Sequence, residues 1–174
     1  VEQTDMDALR AFRAKDPTAT HVMYINSSVE MKALADIIVT SANVNAIIEA
    51  ELDAGNNVIF SPDANMGAYI NQEFGYDMDV FTSVCIVHDK FNLEALEKDM
   101  RGWTDGSKHV IAHPESPIDI IDKAEMIGST SNMLDWVSKF PYKVGTIWVA
   151  TEIGLIEDMK RLRPELDFRS VPGY

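Results

Sequence analysis

Short apolar runs rich in β-branched residues punctuate the chain: "HVMYIN" (21–26), "DIIVTS" (36–41), "NVIFSP" (57–62), "VCIVH" (84–88), "HVIAH" (109–113), "EMIGS" (125–129) and "GTIWVAT" (145–151). They do not alternate apolar with polar, so each reads as a strand buried on both faces, as in parallel sheets. Between them the pattern changes to that of amphipathic helices. Examples are "NVNAIIEAELDAG", closed by Gly55, and "NLEALEKDMRG", closed by Gly102. Strands alternating with helices predict an α/β fold built on parallel sheets.

The pattern also repeats. "YINSSVEMKALADIIVTSAN" (24–43) lies over "HPESPIDIIDKAEMIGSTSN" (113–132) without a gap, at a shift of 89 residues. Tyr24 falls on His113, Asn26 on Glu115, Asp36 on Glu125, Ser41 on Thr130, Asn43 on Asn132 and, further on, Asp63 on Glu152. Few residues are identical; the match rests on polar residues coinciding at strand ends. Two copies of one α/β unit are predicted, over 1–88 and 89–174.

Composition narrows the function classes. The net charge is −13 with basic residues scattered, which argues against a nucleic-acid or anionic-membrane surface. Small anions remain possible ligands, because helix N-termini hold them through backbone N–H groups. No apolar run approaches the roughly 20 residues of a membrane span. The start, "VEQTDMDALR", has no signal-peptide pattern and no initiator Met, and enters a helical pattern at once. It reads as a chain cut from within a longer protein. One cysteine and nine methionines suggest a reducing cytoplasm.

Parallel α/β sheets bind ligands beyond the C-terminal ends of their strands. The distinctive polar residues fall at such ends: Tyr24 and Asn26, Thr40 and Ser41, Asp63, Cys85 and His88, then His113 and Glu115, Ser129 and Thr130, Thr151 and Glu152. Taken singly, several read as helix caps, Asp63 and Ser41 among them. "TSAN" (40–43) and "GSTSN" (128–132) each put hydroxyls before a helix, a device that suits a phosphate or carboxylate. "AHPES" (112–116) sets His113 and Glu115 on one side of an extended segment imposed by Pro114, a pair able to share proton transfer.

Cys85 is open to several readings: a buried small hydrophobe, a nucleophile, or one ligand of a metal site. A Cys85–His88 nucleophile is disfavoured, since an odd spacing within one strand puts the two on opposite faces. The repeat places the counterparts of Cys85 at position 174 and just upstream of Val1.

In order, "YINSSVEMKALADIIVTSAN", "IFSPDANMGAYI", "CIVH", "HPES", "IGSTSNMLDWV" and "VATEIGLIEDMKRLRPELDF" resemble the motifs of the quinolinate synthase family of bacterial NAD biosynthesis, over essentially the whole chain. The resemblance implies three pseudo-threefold-related, three-layer αβα domains with short parallel sheets, each giving one cysteine to a [4Fe–4S] cluster. Residues 1–88 would be the second domain and 89–174 a C-terminally incomplete third. Cys85 would be the middle cluster ligand, and the fragment alone would be inactive. The implied reaction condenses iminoaspartate with dihydroxyacetone phosphate to quinolinate, with loss of phosphate and two waters. The iminoaspartate would come from an L-aspartate oxidase or dehydrogenase. By motif, Tyr24 and Asn26 would contact substrate, Ser41, Ser129 and Thr130 would bind its oxygens, and His113 and Glu115 would move protons. Ser116 stands where the family usually has a cysteine that is not a cluster ligand. Another class of protein, a non-catalytic α/β module binding a small dianion through "TSAN" and "GSTS", is the alternative.

Overall fold

The structure, a computed structural model, describes residues 5–104 and 106–173. The chain divides into two units, Val1–Cys85 and Ile86–Tyr174. The first runs α1 (Met6–Lys15), β1 (Thr20–Tyr24), α2 (Val29–Lys32), β2 (Ile37–Val39), α3 (Val44–Asp53), β3 (Val58–Ser61), α4 (Ala64–Phe74) and β4 (Asp79–Val80). The second runs α5 (Leu93–Gly102), β5 (Lys108–Ala112), α6 (Ile118–Lys123), β6 (Met126–Ile127), α7 (Thr130–Lys139), β7 (Thr146–Ala150), α8 (Ile153–Leu162) and β8 (Asp167–Ser170).

Each unit holds a parallel four-stranded sheet, ordered β2-β1-β3-β4 in the first and β6-β5-β7-β8 in the second. The two sheets also share registers. Val22 pairs with Ile37 as Ile111 pairs with Met126, so the 89-residue offset of the sequence recurs in the ladders. The Asp36 N–H donates to the His21 carbonyl as the Glu125 N–H donates to that of Val110. The fold is therefore α/β with a repeated unit.

The strands lack alternation because both faces of each sheet are covered. In the first unit Val22, Tyr24, Val58 and Phe60 enter one core, while Met23 and Ile59 enter another. In the second, Ile111, Ile147 and Val149 face one core, while Val110, Ala112, Trp148 and Ala150 face the other. Successive strand residues thus point to opposite, equally apolar sides. Helix α4 packs so closely on its sheet that a Cβ on Gly67 would lie 2.4 Å from Val80 Cγ1 and 3.1 Å from Phe60 Cδ1. Helix α4 stops at Gly75, whose N–H still donates to the Asn71 carbonyl and whose left-handed φ of 70° turns the Tyr76 N–H back onto the same carbonyl at 3.1 Å.

The elements depart from the sequence reading at several points. Residues 84–88 are not a strand; the fourth strand of the first sheet is the two-residue β4, and 86–90 form turns. Ile86 and Val87 are exposed, so the apolar run lacks the burial that would hold it in a sheet. β8 was not foreseen, because only Phe168 of "DFRS" is buried. Gly102 is the last residue of α5 and Trp103 its cap, so no left-handed glycine ends that helix. Among the described residues no helix is long and apolar enough to cross a membrane.

Candidate functional site

In each sheet the strand order reverses between two central strands, β1 and β3 or β5 and β7. The crevice beyond their carboxyl ends is where open parallel sheets bind ligands. Tyr24 to Asn26 and Ser61 to Asp63 leave the strands there in the first unit; His113 to Glu115 and Thr151 do so in the second.

The second crevice carries the denser chemistry. The His113 N–H donates to the Ala150 carbonyl at 3.0 Å, which fixes the strand end. Pro114 then takes the second position of a turn closed by the Ser116 N–H on the His113 carbonyl at 2.9 Å. This replaces the extended segment expected from the sequence. The turn brings Glu115 Oε2 to 3.2 Å from His113 Nδ1. The Glu115 N–H also points at that nitrogen, 3.4 Å away. A proton on Nδ1 would be donated to the carboxylate; without it, Nδ1 accepts the backbone N–H. Both tautomers are therefore provided for. Ser116 is fully buried, with its hydroxyl directed at the Ala150 carbonyl.

His88, from the turn that follows Cys85 in sequence, joins this pair. Its ring stacks on His113, with centroids 5.0 Å apart and planes 24° from parallel, and its Nδ1 lies 3.6 Å from Glu115 Oε2. All three side chains are buried, Glu115 to within 1%. Burial pushes His113 down to about 3, aided by the neighbouring His88, and burial pushes His88 down to about 4. Both imidazoles are therefore neutral at pH 7, each with one ring nitrogen that donates and one that accepts a hydrogen bond. A strand from 84 to 88 would put His88 on the face opposite Cys85, a neighbour of the site rather than a base for that thiol. The turn removes that premise, and with it the parity argument about opposite faces.

In the first crevice Tyr24 is buried among Val22, Val39 and Phe60, while Asn26 is exposed. Asp63 is fully buried and caps α4, its Oδ1 accepting the Met66 N–H at 2.7 Å. Its Oδ2 accepts the N–H of Cys85 at 2.9 Å. Cys85 is half-buried.

The two hydroxyl-rich turns use one hydrogen-bonding device. Asn43 Oδ1 accepts from the Thr40 N–H (2.7 Å) and hydroxyl (3.0 Å). Asn132 Oδ1 does the same for Ser129, whose hydroxyl also accepts the Asn132 N–H at 3.2 Å. Gly128 permits this closure, since a Cβ there would sit 2.9 Å from that of Asn132. The Ser129 hydroxyl is thus spent on a capping box. Thr130 is exposed at the start of α7, and Ser41 is half-buried in the turn before α3. Asn43, not Ser41, stands at the N-cap position of α3, and its side chain bonds back to Thr40 rather than to the helix.

Fold and site together define a tandem α/β protein whose ionisable groups gather at the strand ends, where such sheets bind and transform small molecules. The family profile for the quinolinate synthetase A protein matches residues 1–172. Curated relatives include quinolinate synthase from Prosthecochloris aestuarii and from Synechococcus sp., each 36% identical over 166 residues, or 95% of this chain and 50% of the relative. The chain belongs to the quinolinate synthetase A protein family. It spans about half the length of the curated relatives it matches.

Proposed function

We propose that this chain supplies the proton-handling residues and one cluster ligand of a quinolinate synthase that condenses iminoaspartate with dihydroxyacetone phosphate. The observation that carries the chemical part is the buried group of His88, His113 and Glu115 at the end of β5. Loss of phosphate and water between two small anions needs protons delivered to leaving oxygens and removed from carbon. Neutral imidazoles against a buried carboxylate suit both tasks. Glu115 and His113 exchange a proton across the 3.2 Å contact, and His88, stacked on His113, fixes its plane. Asn26 and Tyr24, at the matching place in the first unit, orient substrate. Ser41, Thr130 and the N–H groups opening α7 hold carboxylate or phosphate oxygens.

Cys85 fits one ligand position of a [4Fe–4S] cluster: it is half-buried and its backbone is tied to Asp63. As the only cysteine of the chain, it would need partner thiolates from outside these 174 residues. When bound, such a cluster with three thiolate ligands supplies an iron that acts as a Lewis acid toward substrate oxygen. The reading extends to a reducing cytoplasm and to an L-aspartate oxidase or dehydrogenase as the source of iminoaspartate.

The test is anaerobic reconstitution of the full-length gene product with iron and sulfide. Cys85→Ala is expected to lose the bound iron and the broad visible absorption. Undiminished iron in that variant would remove Cys85 from the ligand set. A gene product that binds no iron, yet binds phosphate, would favour the dianion-binding module instead.

A further inference from the structure

A fully buried carboxylate is costly unless its oxygens are hydrogen-bonded. Asp63 meets that need across two segments of chain. Oδ1 takes the Met66 N–H in the first turn of α4, and Oδ2 takes the N–H of Cys85, 22 residues beyond Asp63. The segments are drawn together further by a parallel bridge between Asp63 and Ser83 and by the Ala64 N–H on the Ser83 carbonyl at 2.6 Å. A helix cap alone requires only the first of these bonds, and Ser, Thr or Asn would supply it. Here the two backbone donors come from different segments and meet different oxygens of one short side chain, an arrangement that the paired acceptors of aspartate suit. Asparagine has one acceptor and would turn its own NH₂ toward the other N–H.

We propose that Asp63 is a positioning residue for Cys85, its carboxylate stapling the Cys85 backbone to the start of α4 and so fixing how the thiol is presented. The purpose assigned to this staple rests on the reading of Cys85 as a cluster ligand; the staple itself does not. The strand end thereby does two jobs, starting α4 and aiming the only thiol of the chain.

The single cysteine permits a direct test on the 174-residue chain. Asp63→Ser keeps one oxygen for the α4 cap but cannot span to Cys85. Hydrogen exchange at the Cys85 amide is expected to accelerate about 10- to 100-fold, the range for losing a charge-assisted bond. Alkylation of the Cys85 thiol should change rate in parallel, while exchange in β3 stays slow. Asp63→Asn, close in shape but with one acceptor, is expected to speed exchange at Cys85 or Met66, and it serves should the serine variant fail to fold. Unaltered exchange and alkylation in the folded variants would overturn the staple, whatever the iron content. In the iron-loaded full-length gene product, Asp63→Ser should surrender iron to a chelator severalfold faster than wild type; an equal rate would overturn the positioning role. If Cys85→Ala keeps its iron, the ligand reading fails while the exchange result stands.

Discussion

At the end of β1 the first unit sends Tyr24 into its core and leaves Asn26 exposed; at the end of β5 the second buries His113 and Glu115 side by side. The two places correspond at the 89-residue offset, on sheets of the same order and register. The backbone therefore does not decide the chemistry. A five-residue strand followed by a turn delivers whatever side chains stand there, and the turn around Pro114 folds Glu115 back beneath its histidine. The histidines show the same division. His21, buried in the first unit, spends one ring nitrogen on the Leu34 carbonyl and the other on the Ser61 hydroxyl. It is a satisfied core residue. His88 and His113 instead stack on each other over a carboxylate.

The largest expected effect separates the two strand ends by function. In the full-length gene product, Glu115→Gln keeps the shape of the side chain and removes its proton chemistry. It is expected to lower kcat for quinolinate formation by roughly 10²- to 10⁴-fold, with iron content unchanged. Asn26→Ala, at the corresponding position, is expected to raise KM by about tenfold, the equivalent of one lost polar contact to substrate. Steady-state assays distinguish these outcomes. Equal losses of kcat in the two variants would erase the asymmetry.

The second effect is on stability. Native His88 and His113 stay neutral down to about 4 and 3, whereas unfolded histidine binds a proton near 6.5. As pH falls below 6.5 the unfolded state takes up more protons, so their contribution to stability is complete above that value. It is lost progressively down to the native values. Each histidine removes about 3 kcal/mol between pH 7 and pH 4. Trp103, Trp136 and Trp148 all lie in the second unit, so tryptophan fluorescence in urea reports that unit alone. Between pH 6 and pH 4.5 the slope is expected to fall by about one proton, or about 1.4 kcal/mol per pH unit, in His88→Phe. An unchanged slope would mean that His88 is not held neutral by burial.

The fold was legible because parallel strands buried on both faces leave unbroken apolar runs, and six of the seven expected runs contain strands. Two of the four edge strands were not: "DV" and "DFRS" hold one buried residue between them, whereas β2 and β6 lie within apolar runs. The run at 84–88 misled for the opposite reason. It has strand composition without strand burial, and composition alone cannot tell the two apart. Within the site, the sequence pairs His113 with Glu115, but through an extended segment where the structure has a turn. The stacking of His88 depends on the turn at 86–90, which no local pattern announces. Asp63 was legible as a cap, but its second bond, to Cys85, joins residues 22 apart and exists only in three dimensions.

The smallest effect concerns that cap and its counterpart. Asp63 begins α4 with a side-chain bond to the N–H three residues on, whereas Glu152, at the same offset before α8, makes none. Both residues have extended backbone, with ψ of 114° and 149°, so the local conformation suits capping in each case. What differs is one methylene, which carries the glutamate oxygens past the N–H groups of their own helix. Glu152→Asp should therefore accept the Leu155 N–H and stabilise the second unit by about 0.5–1 kcal/mol. For a unit of this size that raises Tm by roughly 2–8 °C, measured by tryptophan fluorescence. Glu152 is exposed, so the substitution disturbs no core packing. No gain in Tm would show that side-chain length is not what divides the two caps. The burial of Asp63 and its second bond to Cys85 would then account for the difference.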